Sequence, residues 1–159
     1  MDERCSAPHC HLIAMKLSLF SDYSLRVLMF AALKDEAFQL EEVSASFDIS
    51  KHHVAKIVQS LSKLGYLDTR RGRGGGIQLA RPPEDIRIGK LLRETEDQPA
   101  MVECFDLATN TCRISGSCLL KSALAKARNA FYDSLDTHTL SSLVTGQQRT
   151  RMIKTLLPG

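Results

Sequence analysis

The segment from Leu40 to Arg81 constrains the fold more tightly than any other part of the sequence. In "LEEVSASFDI", Leu40, Val43 and Phe47 recur at spacings of three and four, the period of a short amphipathic helix. "DIS" then turns the chain, and Ser50 stands where a hydroxyl can cap the next helix. In "KHHVAKIVQSLSKLGYL", Val54, Ile57, Val58, Leu61 and Leu64 share one face, while His52, His53, Lys56, Gln59 and Lys63 fall largely elsewhere. Gly65 is a natural helix stop. "LDTR" and "IQLA" read as short strands on either side of a glycine-rich arginine turn, and Pro82 and Pro83 close the hairpin.

Helix, tight turn, helix and basic hairpin make the outline of a winged helix-turn-helix. The second helix of such a unit enters the major groove with its N-terminal residues facing base edges. Here those residues are Ser50, Lys51, His52, His53 and Lys56. The hairpin adds Arg70, Arg71 and Arg73, which suit phosphates or a narrow minor groove. Its Gly72, Gly74, Gly75 and Gly76 permit close backbone approach. Charge supports the same partner. Residues 50–81 carry seven Lys and Arg against one acid, Asp68, a local +6 within a chain of net +3. A basic block in an otherwise slightly acidic chain points to a polyanion met at one surface, double-stranded DNA in this reading. "GRGGG" lacks the lysine and following helix of a phosphate-binding P-loop. Neighbouring helix residues point about 100° apart, so His52 and His53 are poorly placed to share one metal.

The second informative stretch is "MVECFDLATNTCRISGSCLLKSAL", which places Cys104, Cys112 and Cys118 in one loop. No apolar run approaches the roughly 20 residues of a membrane span. The first twenty residues lack the layout of a signal peptide. The expected compartment is therefore the cytoplasm, where thiols stay reduced. Five cysteines in a reducing compartment argue for metal, cluster or redox chemistry over structural disulfides. The spacing Cys-x7-Cys-x5-Cys matches neither a paired zinc motif nor a ferredoxin run. Three thiolates so spaced can grip three corners of an iron–sulfur cluster, leaving one iron for a ligand from elsewhere. A colourless zinc-stabilised regulator and a small iron–sulfur electron carrier are the competing readings; the carrier would have no use for the basic helix and wing.

Around these two stretches the chain divides as follows. Residues 1–15 show no period and are expected to be a disordered extension, although Cys5, His9, Cys10 and His11 could mimic a metal site. Residues 16–82 form the winged helix-turn-helix domain, opened by the mostly apolar helix "LFSDYSLRVLMFAAL" with Asp22 near its start. Residues 83–145 form a sensor and dimerisation region. It holds the helix "IRIGKLLRETED", the cysteine loop and a long helix pattern, "LLKSALAKARNAFYDSLDTHTLSSLV", ending at Val144, whose Leu120, Leu124, Ala127, Phe131 and Leu135 repeat at fours and threes. That stripe could pack within the chain or against a second copy. Residues 146–159 read as a flexible, loosely held tail. The fold class is mainly α with a small β-hairpin wing.

Four motifs together carry a family resemblance: "KLSLFSDYSLRVLMF", "ISKHHVAKIVQSLSKLGYL", "RRGRGGGIQLARPPEDIRIGKLLRETE" and "VECFDLATNTCRISGSCLLKSAL". From Lys16 to Val144 the chain resembles the winged-helix iron–sulfur repressor family. The resemblance implies a homodimeric, non-enzymatic, operator-binding repressor with one [4Fe–4S] cluster per subunit, a [2Fe–2S] form being the alternative. It implies Cys104, Cys112 and Cys118 as ligands. The branch that regulates cluster biogenesis uses a histidine three residues after the last cysteine, where this chain has Lys121. The nitric-oxide-sensing branch is similar at "FSDYSLR", which implies Asp22 of the partner subunit as the fourth ligand and nitric oxide as effector. An iron-responsive branch shares the cysteine spacing and is the alternative. From the residues alone, Asp22 reads better as an acid favoured at a helix start, and the resemblance is what tips it toward a ligand.

Overall fold

The computed structural model describes residues 16–70, 72, 75–96 and 101–157. The chain runs α1 (Leu19–Lys34), α2 (Leu40–Phe47), α3 (Lys51–Lys63), β1 (Leu67–Arg70), β2 (Gly76–Leu79), α4 (Ile88–Thr95), α5 (Leu119–Leu135), α6 (Leu140–Leu143) and α7 (Gly146–Leu156). Short 3-10 turns occupy Pro83–Asp85 and Glu103–Phe105.

Helix α1 is the centre of the packing. Its Val27, Leu28, Phe30, Ala31, Ala32 and Leu33 are all buried, as expected of a helix apolar on nearly every side. The Phe30 ring meets Phe38 and Phe47 edge-on at centroid distances of 5.2 and 6.4 Å. Helix α2 opens with reciprocal capping between Gln39 and Glu42 and closes at Asp48 in the left-handed region. Ser50 caps α3 by accepting from the His53 N–H at 3.3 Å. The expected apolar face of α3 is buried at Val54, Ile57, Val58 and Leu61.

Gly65 ends this unit with φ +74°, and a Cβ there would stand 2.9 Å from Arg81. Arg81 belongs to the basic block but works inward. Its Nε donates to the Gly65 carbonyl at 2.8 Å, and its guanidinium lies 4.6 Å over the Tyr66 ring. It pins the end of the wing to the end of α3. The hairpin pairs β1 and β2 antiparallel, with Leu67 opposite Leu79 and Arg70 opposite Gly76. Phe38 adds a further bridge to Ile77, so the loop before α2 and the wing move as one.

Beyond the wing, Arg87 and Thr139 pair across the start of α4 and the segment after α5. Gly89 allows α4 to touch α5, since a Cβ would stand 2.1 Å from the Tyr132 carbonyl oxygen. Helix α5 is shorter than the expected run to Val144. Asp136 leaves the helix to accept from the Lys90 N–H at 2.7 Å and from Arg93, and Thr139 caps the separate α6. Among the described residues only Tyr132 is buried along α5; Phe131 and Leu135 of the stripe, partly buried, pack on the core, while Leu120 at its start stays exposed.

The segment expected to be loosely held carries α7 as far as Leu156. Arg149 donates to the carbonyls of Ala32 and Leu33 and to Asp35, fastening α7 to the C-terminal end of α1. The Ser46 hydroxyl donates to the Leu156 carbonyl at 2.7 Å, which ties α7 to α2 as well. Met152, Ile153, Leu156 and Leu157 pack on the core. Among the described residues no helix is long and apolar enough to cross a membrane.

Candidate DNA interface and cysteine site

Ser50, Lys51, His52, His53 and Lys56 are all exposed at the N-terminal end of α3. Among the described residues, Lys51 is the member of this group held in an ion pair, with the exposed Glu41 of α2 at 3.2 Å, which leaves the surface basic. An open groove of about 930 Å³ runs between α3 and the wing, lined among others by His52, Lys56, Gln59, Lys63, Thr69 and Arg70. Of the expected residues this brings His52 and Lys56 of α3 together with Arg70 of the wing, while Ser50, Lys51 and His53 do not line the groove. Gln59, Lys63 and Thr69 were not among the expected contacts, although 52, 56, 59 and 63 share a helical period that marks them. Arg70 is exposed, with Asp68 at 3.2 Å from its Nε. Arg71 and Arg73 lie outside the described residues, as do Cys5, His9, Cys10 and His11.

Cys104 sits in the 3-10 turn Glu103–Phe105, Cys112 in the following loop, and Cys118 at the N-cap of α5. All three are free and half-buried. The loop is organised by short polar side chains. One Glu103 oxygen accepts from both the N–H and the hydroxyl of Thr111 at 2.6 Å, and these bonds hold its carboxyl below the usual range. Asn110 accepts from the Cys112 N–H at 3.0 Å and donates to the Ser115 hydroxyl at 3.1 Å. Glu103 thus links the neighbour of Cys104 to the neighbour of Cys112. Cys104 and Cys118 face one cleft of about 720 Å³, together with Phe105, Lys121 and Arg128. Cys112 is not part of its lining.

Asp22 stands in the first turn of α1, where its carboxylate accepts from Arg26 at 2.8 Å. Arg26 also lies 6.0 Å over the Phe47 ring of α2. The start of α1 is bound to the end of α4: Ser18 donates to Glu96, and the Ser21 and Thr95 hydroxyls meet at 2.9 Å in a buried contact. Among the described residues no three His, Cys, Asp or Glu side chains group closely enough to hold a metal ion. One chain therefore brings two thiols to a common cleft but does not assemble the three cysteines with Asp22. The donor chemistry nevertheless fits an iron–sulfur group, because three reduced thiols lie on one polar, self-bonded loop.

The arrangement of α1 to α5 with a two-stranded wing recurs in solved structures. The global cysteine regulator CymR of B. subtilis matches with TM-score 0.65 at 24% identity, covering 82% of this chain and 96% of that one. IscR of T. potens matches with TM-score 0.64 at 20% identity, covering 87% and 97%. At those identities the likeness is one of fold. A family model described as "Rrf2: Iron-dependent Transcriptional regulator" matches residues 17–146. The chain belongs to the Rrf2 family. Its similarity to curated Rrf2-type regulators is extensive. It is 45% identical to the HTH-type transcriptional regulator NsrR of Bacillus licheniformis over 87% of this chain and 99% of that protein. It is 46% identical to NsrR of Bacillus subtilis over 84% and 93%. The protein is thus a winged-helix transcription regulator of the Rrf2 family and not an enzyme.

Proposed function

We propose that this Rrf2 regulator is a cytoplasmic homodimeric repressor that binds operator DNA, holds one [4Fe–4S] cluster per subunit and releases DNA in response to nitric oxide. The observation that carries the reading is the cysteine loop. Three free thiols lie on a segment whose apolar side chains are left to solvent: Leu107 is 86% exposed, Leu119 87% and Ile114 61%. A second copy that covered these side chains would bury them and close the loop. The NsrR relatives match across the same segment.

In this reading the chain divides into a DNA-binding part, residues 16–82, and a sensor and dimerisation part, residues 83–145. Cys104, Cys112 and Cys118 would hold the cluster, with Asp22 of the partner subunit at the remaining iron. A cluster so held would supply an iron open to nitric oxide, and the Asp22 carboxylate would be a harder and more exchangeable ligand to it than a thiolate. Asp22 is well placed to report the change. Its helix is bonded to α4 through Ser18, Ser21, Thr95 and Glu96, and Arg26 carries contact from Asp22 to Phe47 of α2. A shift of Asp22 therefore moves α1 against α2, and the two α3 helices lose their half-site spacing. Ser50, Lys51, His52, His53 and Lys56 would face bases, and Arg70, Arg71 and Arg73 the backbone.

The family description as iron-dependent favours a second reading, in which the same ligands respond to iron limitation. Anaerobic binding to duplexes selected by the protein from a random pool separates the two. Near-stoichiometric nitric oxide should release the DNA while an iron chelator acts slowly. Release by chelator alone, with indifference to nitric oxide, would establish the iron-responsive reading instead.

A further inference from the structure

The turn that carries Cys104 is held to its surroundings by few contacts. It is three residues long, and among the described residues it packs extensively against no other element. The hydrogen bonds of Glu103 and Asn110 run within the loop, toward Thr111, Cys112 and Ser115. They fix Cys104 relative to Cys112 but not relative to α5, where Cys118 sits. Among the described residues, a cation–π contact spans that gap. The Arg128 guanidinium lies 4.8 Å over the Phe105 ring, and both side chains line the cleft that Cys104 and Cys118 share. Helical side chains tilt toward the N-terminus of their helix, so Arg128 reaches back along α5 toward Cys118. The ring it covers belongs to the residue next to Cys104.

We propose that Phe105 and Arg128 are positioning residues that form a latch, holding the Cys104 turn on α5 and so setting the separation of Cys104 from Cys118. The inference rests on the reading of these cysteines as cluster ligands. Neither latch residue is a ligand. Their contact keeps one thiol from swinging away from the other, as partners outside a metal site commonly do for its ligands. The aromatic plane and the cation are both needed, because the attraction is between a positive charge and the face of a ring.

The test is the rate of iron loss to a chelator, followed by absorbance in anaerobically reconstituted full-length protein. The variants are Phe105→Leu, Arg128→Met, the pair of them together, and Phe105→Tyr. Each single loss should speed iron release by about two- to fivefold. The double variant should release iron no faster than the faster single one, because both changes remove the same cation–π contact. Phe105→Tyr, which keeps the ring, should behave as wild type. Thermal unfolding of the apo-proteins, followed by helix signal, should coincide, which separates a local latch from a folding defect. Wild-type rates in both single variants, or multiplying effects in the double one, would overturn the latch while leaving the ligands in place. A wild-type protein that takes up no cluster would instead remove the reading on which the latch rests, and the latch with it.

Discussion

Replacing Arg149 by methionine keeps the length and apolar stem of the side chain and removes what fastens α7 to α1. In the folded chain Arg149 donates to Ala32 at 3.0 Å and Leu33 at 3.2 Å, and pairs with Asp35 at 2.6 Å. Hydrogen bonds to charged groups contribute about 1.5–3 kcal/mol each when well shielded. Here the two carbonyls end a helix that water can partly reach, so each bond falls to about 0.5–1 kcal/mol, within the range of an ordinary hydrogen bond. The Asp35 side chain is 76% exposed, so its ion pair adds only about 0–1 kcal/mol. The expected total is about 2 kcal/mol, or a fall in Tm of about 4–8 °C for a chain of this size. Thermal and urea unfolding of the apo-protein measure it. Asp35→Asn, which tolerates the left-handed backbone at this position, should cost under about 1 kcal/mol, which assigns most of the effect to the carbonyls. A fall in Tm of less than about 1 °C in Arg149→Met would refute the reasoning and return α7 to the status of a loosely held tail.

The other expectations concern the site, the interface and pH. Cys104→Ala, Cys112→Ala and Cys118→Ala should each abolish stable cluster uptake in anaerobic reconstitution, while Cys5→Ala and Cys10→Ala leave it intact; full iron content in Cys112→Ala would falsify the ligand assignment. Asp22→Ala should keep a cluster but weaken or deregulate DNA binding, and Asp22→Cys should slow the nitric oxide reaction in stopped-flow absorbance; three indistinguishable proteins would make Asp22 a helix-start acid only. Lys63→Ala, a groove residue, should weaken binding to all duplexes and reduce the salt slope by about 0.9 if it meets one phosphate, whereas His52→Ala should change base preference. Burial pushes the Asp136 carboxyl up, but the bonds from Arg93 and the Lys90 N–H outweigh it and hold the group below its usual range. A lowered folded pKa means stability present above the unfolded value and lost as pH falls through the folded one. The destabilisation caused by Asp136→Asn should therefore be complete at neutral pH and shrink below about pH 4 in urea titrations.

The winged half of the molecule was legible in the sequence because each local signal agreed with the next. Ser50 caps α3, the face from Val54 to Leu61 is buried, and Gly65 stops the helix with a positive φ. Those are short-range effects that spacing records. The roles of Arg81 and Arg149 were hidden, since each acts on carbonyls far along the chain. The break after α5 was hidden for the same reason. Asp136 continues a helical pattern, and only the packing of Gly89 against Tyr132 turns its carboxylate toward α4. At the cysteine loop the sequence shows three neighbouring thiols but not their arrangement. Spacing cannot show that Cys104 and Cys118 face a cleft without Cys112, or that Phe105 meets Arg128. Leu120 at the start of the α5 stripe and the neighbouring Leu107, Ile114 and Leu119 remain exposed in one chain, whereas Phe131 and Leu135 pack on the core, a division that the repeat itself does not record.

Mass spectrometry of the anaerobically purified protein under non-denaturing conditions, during titration with nitric oxide and with bound duplex present, tests the central claim most directly. The account predicts a dimer carrying four irons and four sulfides per subunit that takes up nitric oxide and, over the same additions, parts from its DNA. A zinc-bound or metal-free dimer, or one that binds nitric oxide and keeps its DNA, would contradict it.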